Sequence, residues 1–289
     1  MRDADVKRML VPEALEPYRG RAYELLEDIY ADYNRREYVS PDPLEFLYLY
    51  DSPADREIVG LIASSLAYGR VASILASVRK VLSVLGESPA DTLASADISS
   101  LTDRLLGFRH RFTGGAEMAS FLFGIGRAVR AYGTLERAFC RGMESERREE
   151  DDSRLGVIRA MDAFAASILS GGGLGSSHLL PRASKGSACK RLALYIRWMV
   201  RRDDVDPGGW SGISPCDIIV PLDTHMFHIA SGLGFTARSS ADGKTAMEIT
   251  GAFARLCPDD PVRYDFALTR FGIRAGMSVD DLLAKFAQA

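Results

Sequence analysis

The chain has 289 residues, of which 47% are hydrophobic and 26% charged, and its formal net charge is −3 at pH 7. This composition is typical of a globular protein with one large or two ordinary domains, and it excludes a disordered or collagen-like chain. A net charge so close to zero also excludes a basic surface that covers the whole protein, so any contact with phosphate has to come from a local patch.

The cysteines lie far apart and form no CxxC pair. They therefore indicate free thiols in a reducing compartment rather than a zinc or iron–sulfur site. The charged start of the chain lacks the apolar segment of a signal peptide. No stretch has the roughly 18 consecutive apolar residues that a membrane span needs. We therefore expect a cytoplasmic protein without a cofactor and without a membrane partner.

Helical periodicity dominates the sequence and predicts an all-α fold. Cap residues at 42 and 52 and a glycine at 86 mark helix boundaries. Residues 217–221 (DIIVP) are the one strand-like run, and the glycine-rich residues 170–177 favour a flexible connector. The charged residues 144–152 are typical of a solvated helix end. The predicted helices cover residues 14–35, 42–50, 53–69, 70–86, 88–106, 115–132, 134–146, 153–170, 187–202, 224–233, 244–256, 260–272 and 278–288.

Residues 217–234 (DIIVPLDTHMFHIASGLG) place an acid, Asp223, at the start of a predicted helix. An acid in this position caps the helix by accepting backbone N–H bonds. A capping carboxylate is held ionised and fixed in direction, so a structural and a catalytic role are compatible. His225 and His228 are spaced i, i+3 and raise a metal hypothesis. The only other histidines of the chain are His110 and His178. Too few candidate ligands remain for a metal site, so no bound metal is expected.

The helix that follows Cys189 begins with Lys190, where the helix dipole disfavours a cation and favours a nucleophilic amine. A basic stripe on this helix suits a phosphate backbone, although an ordinary exposed helix face has the same pattern. The cluster Arg109, His110 and Arg111 is either a second phosphate contact or a surface turn. The stripe consists of Lys190, Leu194, Arg197 and Arg201, with Arg191, Trp198 and Arg202 beside it.

Residues 220–235 (VPLDTHMFHIASGLGF) resemble the segment that carries the catalytic aspartate in the helix-hairpin-helix (HhH-GPD) DNA glycosylases, particularly the 8-oxoguanine branch. Residues 179–200 (LLPRASKGSACKRLALYIRWMV) lie where the hairpin and the nucleophilic lysine of that superfamily belong. Most of the hairpin glycines are absent, and the gap between Lys190 and Asp223 is longer than usual. The strings GSACKRLALYIRWMVR, PLDTH and DPVRYDFAL also resemble an uncharacterised bacterial protein family, a domain of unknown function, which by itself supplies no activity.

The resemblance implies two helical lobes with a cleft between them. One lobe spans residues 40–202 and carries the degenerate hairpin and Lys190; the other combines residues 1–39 with 203–289 and carries Asp223. The implied activity is that of a DNA glycosylase with AP-lyase activity on an oxidised purine in damaged double-stranded DNA. Asp223 would stabilise positive charge on the sugar, and Lys190 would form a Schiff base at C1′. No obligate protein partner is inferred.

The same resemblance assigns DNA contacts around this pair. The side chain at 68 or 70 would fill the gap that an extruded base leaves, and residues 185–187 would offer backbone N–H groups to a phosphate. An aromatic side chain would stack on the base. The implied contacts are Tyr68, Arg70, Lys185, Gly186, Ser187, Arg191, Arg197, Trp198, Trp210, His225 and Phe227.

Two further hypotheses stay open at this point. A catalytically silent nucleic-acid-binding protein would use the same scaffold and the basic helix without the chemistry of Lys190. Less favoured is a metal-dependent phosphohydrolase that uses His225 and His228.

Overall fold

The structure, a computed structural model, describes residues 20–145 and 153–288. Over these residues the chain is predominantly helical, which confirms the all-α prediction. The predicted helical residues 14–19 and most of the charged run 144–152 lie outside the described part. The α-helices are α1 (Arg21–Tyr33), α2 (Pro53–Ser65), α3 (Val71–Leu85), α4 (Pro89–Ser95), α5 (Ile98–Arg104), α6 (Gly115–Tyr132), α7 (Leu135–Ser145), α8 (Ser153–Gly171), α9 (Lys190–Val200), α10 (Thr224–Gly232), α11 (Gly243–Leu256), α12 (Asp265–Ile273) and α13 (Val279–Gln288).

Cap residues set the helix starts much as the sequence predicts. The Ser52 hydroxyl accepts a hydrogen bond from the backbone N–H of Asp55 at 3.3 Å at the start of α2. Asp42 caps a 3₁₀ helix, Pro43–Leu49, where an α-helix was predicted. The predicted helix 88–106 is two helices because Asp97 caps a new start by accepting from the N–H of Ser100 at 2.9 Å. A capping acid inside a segment of helical periodicity therefore divides that segment into two helices.

The strand-like run at residues 217–221 does not form a strand. Val220 is buried, and its N–H donates to the Thr250 hydroxyl of α11 at 3.1 Å rather than to a neighbouring strand. Within the described residues, the strands are instead β1 (Arg109–His110) and β2 (Thr113–Gly114), which pair antiparallel. An extended apolar run becomes a strand only where a second strand can satisfy its backbone groups.

The glycine-rich connector is tightly packed at its first residues. A side chain at Gly172 would collide with the carbonyl of Ser120, and one at Gly124 with the carbonyl of Ile168. The Gly172 N–H also donates to the Ile168 carbonyl at 3.0 Å. These glycines therefore allow α6 and α8 to pack with their backbones close together.

The helices form one continuous cluster of buried apolar side chains. Helix α6 packs against α4, α5, α7 and α8, while α2 packs against α9. Near the other end of the chain, α12 packs against α1 and α10, and α10 also contacts α13. None of the helices in the described ranges is long and apolar enough to cross a membrane.

Candidate functional site

A cavity with a volume of about 680 Å³ lies where the first turns of α9 and α10 meet α12 and the loop after α2. Its lining includes Tyr68, Lys190, Asp223, His225 and Asp265. The side chain of Lys190 is 35% exposed, so solvent reaches the cavity. A volume of this size lies within the range of about 300–1,000 Å³ that is usual for ligand pockets.

Lys190 and Asp223 meet in this cavity. Lys190 is the first residue of α9, and its Nζ lies 3.2 Å from Oδ2 of Asp223. The other carboxylate oxygen, Oδ1, accepts the N–H of Met226 at 2.8 Å and caps α10, as the sequence predicts. Both oxygens of Asp223 are therefore occupied, which fixes the plane of the carboxylate. The ion pair also compensates the cation that the dipole of α9 disfavours.

Arg191 joins the start of α9 to the loop that follows α2. Its guanidinium donates to the carbonyl of Ser65 at 3.1 Å and to the carbonyl of His178, and it lies 4.8 Å from the centre of the Tyr68 ring. Burial lowers the pKa of Arg191. Arg191 therefore holds one wall of the cavity in place.

Tyr68 belongs to the same wall. Its hydroxyl contacts the carbonyl of His110 at 3.2 Å and the hydroxyl of Thr113 at 2.9 Å, and its ring packs edge-on against His110. These contacts fix Tyr68, so it is not free to insert into DNA as the sequence suggested. Arg70 is exposed at the start of α3, outside the cavity lining.

The arginines of α9 do not form an exposed basic face, so this prediction is wrong. Arg197 and Arg201 are each 3% exposed and pair with carboxylates, an arrangement that we call the buried ion cluster. Arg197 is therefore unavailable to DNA. The ion pairs of the cluster are Arg197 with Asp206 (3.1 Å) and Asp265, and Arg201 with Asp203 (2.9 Å), Asp206 and Asp260 (2.9 Å).

Charge neutralisation dominates the electrostatics of this cluster. Burial by itself lowers the pKa values of Arg197 and Arg201, but the facing carboxylates outweigh burial and raise both. Burial raises the pKa of Asp265 to about 6, against the lowering effect of Arg197 and with a further increase from the charge of Asp223. Asp265 therefore links the buried ion cluster to the cavity.

We expect Arg201→Ala to lower the free energy of unfolding by about 3–5 kcal/mol, because it leaves the half-buried Asp203 and Asp260 without an ion-pair partner and the buried Asp206 with Arg197 alone. Urea unfolding at pH 7 measures the change. Arg202→Ala is the matched control: Arg202 is the next residue and is exposed, so we expect a change of no more than about 0.5 kcal/mol. Equal unfolding midpoints for the two variants would contradict a stabilising role for the cluster.

The predicted aromatic contacts are not available for stacking on a base in this structure. Trp198 is 1% exposed, and Trp210 is 6% exposed with its Nε1–H donating to Glu57 at 2.7 Å. Phe227 is half-buried against the core and lies outside the cavity lining. The side chains of Trp198 and Trp210 therefore belong to the core, whereas the contact predicted for Phe227 stays a prediction.

His225 lines the cavity, where its ring packs so closely on Gly272 that any side chain there would collide with it. His228, one turn later, is exposed. Over residues 20–145 and 153–288, no group of three or more His, Cys, Asp and Glu side chains is arranged to hold a metal ion.

The degenerate hairpin does not join the cavity of Lys190. Lys185 and Gly186 are exposed, and Gly186 and Ser187 line a second cavity of about 630 Å³ together with Lys244. The carbonyl of Gly186 accepts the N–H of Gly243 at 3.0 Å. The structure therefore places these residues apart from the pair of Lys190 and Asp223.

The basic cluster at 109–111 forms the β1–β2 hairpin, a turn at the rim of the cavity wall. His110 is buried, and its ring contacts the hydroxyl of Ser77 at 2.9 Å. The side chain of Arg111 lies over Gly69, where a Cβ would come within 2.9 Å of its Cδ. Beside Arg111, the ring of Phe112 is 71% exposed.

Sequence reasoning missed Asp265 and Arg270, which line the cavity from α12. Both are buried, with relative exposures of 4% each. The signal that could have indicated them is the presence of charged residues in an otherwise apolar helix (DFALTRFG).

A family model described as "Protein of unknown function (DUF2400)" matches residues 42–274. No curated protein matches the chain. No solved structure matches it either.

Proposed function

The chain belongs to the DUF2400 family of proteins of unknown function, and we propose that it is a DNA glycosylase with AP-lyase activity. The proposal rests on one observation, which is the 3.2 Å contact between Lys190 Nζ and Asp223 Oδ2 inside a solvent-accessible cavity. The proposed substrate is a damaged base, an oxidised purine, in double-stranded DNA. Resemblance to the HhH-GPD glycosylases supports the assignment at residues 220–235.

The same proposal divides the chain into two lobes, residues 40–202 and residues 203–289 with 1–39, of which 1–19 lie outside the described part. The packing of α1 against α12 supports the grouping of the two chain ends. Lys190 and Asp223 then come from different lobes, and the cavity lies between them.

Asp223 acts on the sugar in this mechanism. As the bond between C1′ and the base lengthens, positive charge develops on the sugar, and a fixed carboxylate nearby stabilises it. The cap and the ion pair hold Asp223 in one orientation before the substrate arrives, so little reorganisation is needed.

Lys190 supplies the nucleophile. Its Nζ contacts Asp223 before the substrate arrives, and one proton passes from Nζ to the departing base, which leaves with the electron pair of its bond to C1′. The freed amine attacks C1′. Transfer of a second proton from that nitrogen to O4′ opens the sugar ring and leaves a protonated Schiff base, which can undergo β-elimination of the 3′ phosphate.

Cys189, the residue before Lys190, does not compete as the nucleophile. Its side chain is 2% exposed, and burial raises its pKa to about 11. The thiolate is the reactive form of cysteine, so at neutral pH the thiol at this position is inert.

Exposed groups on the β1–β2 hairpin suit contact with DNA. Extrusion of a base leaves a gap that an inserted side chain can fill. Phe112 is exposed at the hairpin turn, and its ring lies 5.7 Å from that of His178, whose carbonyl binds Arg191 of the cavity wall. We therefore assign the insertion to Phe112, with Arg111 beside it placed for a phosphate.

We expect Phe112→Ala to weaken binding to a duplex that contains one abasic site by about tenfold, since it removes one stacking contact. Binding to the same abasic strand without its complement should change little, because no gap needs to be filled. Fluorescence anisotropy titrations measure both affinities. Leu49→Ala, which also removes a 71% exposed apolar side chain, is the control and should leave both unchanged. An unchanged duplex affinity for Phe112→Ala would contradict the assignment.

Borohydride trapping tests the proposed function. The full chain is incubated with a duplex that contains an abasic site or an oxidised purine in the presence of borohydride, which reduces a Schiff base to a stable secondary amine. We expect a covalent protein–DNA complex. No trapping on abasic DNA or on a panel of oxidised purines would overturn the proposal. Salt-sensitive binding without trapping would identify a silent nucleic-acid-binding protein instead.

A further inference from the structure

Helix α9, whose first residue is Lys190, starts without the usual capping contact. Its N-cap residue, Cys189, makes no side-chain capping hydrogen bond and has φ 47° and ψ 35°, in the left-handed region. N-cap residues normally have an extended backbone and a polar side chain, and residues with a Cβ rarely adopt a left-handed conformation. Within residues 20–145 and 153–288, Arg111 is the only other non-glycine residue with a positive φ. Strained backbone of this kind is concentrated at functional sites, so the start of α9 requires an explanation.

Two contacts of Cys189 take the place of a cap. Its thiol donates to the carbonyl of Pro181 at 3.2 Å, and its backbone N–H donates to the hydroxyl of Ser187 at 3.1 Å. Its carbonyl accepts the N–H of Ala193 at 3.0 Å, which is the first hydrogen bond of the helix. The side chain is 2% exposed, so water does not compete for the contact between the thiol and the carbonyl. Cys189 therefore attaches the first turn of α9 to the loop before it.

This loop is itself anchored to the body of the protein. The guanidinium of Arg182, the residue after Pro181, pairs with Asp162 of α8. The N–H of Ser184 also donates to Asp162, at 2.9 Å. Leu180, on the other side of Pro181, is buried in the core. The carbonyl that accepts the thiol is therefore fixed, and a continuous series of contacts connects α8 to the first turn of α9.

We propose that Cys189 is a positioning residue, which keeps the first turn of α9 folded and thereby holds Lys190 against Asp223. Helix ends fray, and Lys190 is the first residue of a helix whose dipole disfavours a cation at this end. Its Nζ nevertheless lies 3.2 Å from Oδ2 of Asp223. The part of this inference that concerns catalysis rests on the proposed function, because a nucleophile has to be held within reach of C1′ before it reacts.

Borohydride trapping of the full chain with an excess of abasic duplex tests the positioning role. Glycine adopts a left-handed backbone without strain, so Cys189→Gly removes the thiol contact while the fold should be retained. We expect the rate constant for trapping at saturating DNA to fall by at least about tenfold, because a frayed first turn misplaces the amine. The DNA concentration that gives half the maximal rate should stay unchanged, since the buried thiol does not reach DNA.

Two results of this experiment would overturn the inference. One is a rate constant for Cys189→Gly equal to that of the wild type. The other is a smaller fraction of protein that traps DNA with an unchanged rate constant, because a merely structural role of Cys189 would change only the amount of folded protein.

Two further variants separate the thiol contact from backbone freedom. Cys189→Ser restores an O–H donor for the Pro181 carbonyl, so the rate constant should return to within about threefold of the wild type. Ala188→Gly is the matched control: it adds backbone freedom one residue earlier, leaves the thiol in place and should change the rate constant by less than about twofold. A serine variant as slow as the glycine variant, or an equally slow Ala188→Gly, would overturn the inference.

Chemical modification without DNA tests the position of Lys190 by itself. Formaldehyde with cyanoborohydride methylates lysine amines, and peptide mass spectrometry compares Lys190 with Lys285, an exposed lysine of α13. In Cys189→Gly, methylation of Lys190 relative to Lys285 should rise by about threefold, because the ion pair with Asp223 no longer protects the amine. An unchanged ratio would overturn the inference.

The two proposals can fail separately. Absence of trapping with the wild-type protein overturns the proposed function, while the methylation ratio still decides whether Cys189 positions Lys190. Trapping with the same rate constant in wild type and Cys189→Gly rejects the positioning role alone.

Discussion

Lys190→Ala is expected to abolish the borohydride-trapped complex with abasic DNA and to lower strand cleavage by at least about a thousandfold, because no other amine contacts Asp223 within the described residues. The fold should be retained, since alanine favours the helix and a partly exposed ion pair contributes at most about 1 kcal/mol. Gel separation of trapped complexes measures the first effect, and single-turnover cleavage measures the second.

Lys185→Ala is the matched control for this experiment. Lys185 is an exposed lysine in the turn before α9, and it is absent from the cavity lining. Trapping should persist at the wild-type level in this variant. A complex that survives in Lys190→Ala would show that the nucleophile is another amine.

The second large effect is expected for Asp223→Asn. Asparagine caps a helix about as well as aspartate does, so the start of α10 should remain folded and the melting temperature nearly unchanged. The charge that stabilises the developing positive sugar is lost, and we expect base removal to slow by at least about a hundredfold. Single-turnover release of the base measures this rate.

Two comparisons separate the charge of Asp223 from its capping role. Asp223→Ala removes both, so it should also lose about 1 kcal/mol of stability. Trapping on abasic DNA should remain detectable in Asp223→Asn, because no bond to a base has to break there. Equal rates of base removal for wild type and Asp223→Asn would show that Asp223 acts only as a helix cap.

The local features of the site could be predicted from the sequence. The cap at Asp223 and the helix start at Lys190 depend on neighbouring residues, and both are present. The apolar stripe of α10 is likewise buried, from Met226 to Leu233. Lys190 and Asp223 meet in one cavity because helices that are distant in sequence pack together. Hydrophobic periodicity does not encode this packing, so only the resemblance suggested that the two residues form a pair.

The buried ion cluster shows what sequence reasoning could not predict. On α9 alone, Arg197 and Arg201 have the spacing of an exposed basic face. The carboxylates that neutralise them come from the loop after α9 and from residues 260 and 265. Only tertiary contacts bring these charges together. The same contacts bury Trp198, whose position in the sequence predicts an aromatic side chain on the protein surface.

The contacts of Asp265 restrict how the sequence of this protein can change in evolution. One of its oxygens neutralises Arg197, and the other is unpaired in a residue that lines the cavity. A mutation that neutralises this cavity-lining residue therefore also removes a counterion of Arg197 from the core. Homologues with a neutral residue at this position should carry compensating exchanges at Arg197 or Asp206, so that the cavity wall and thermal tolerance evolve together.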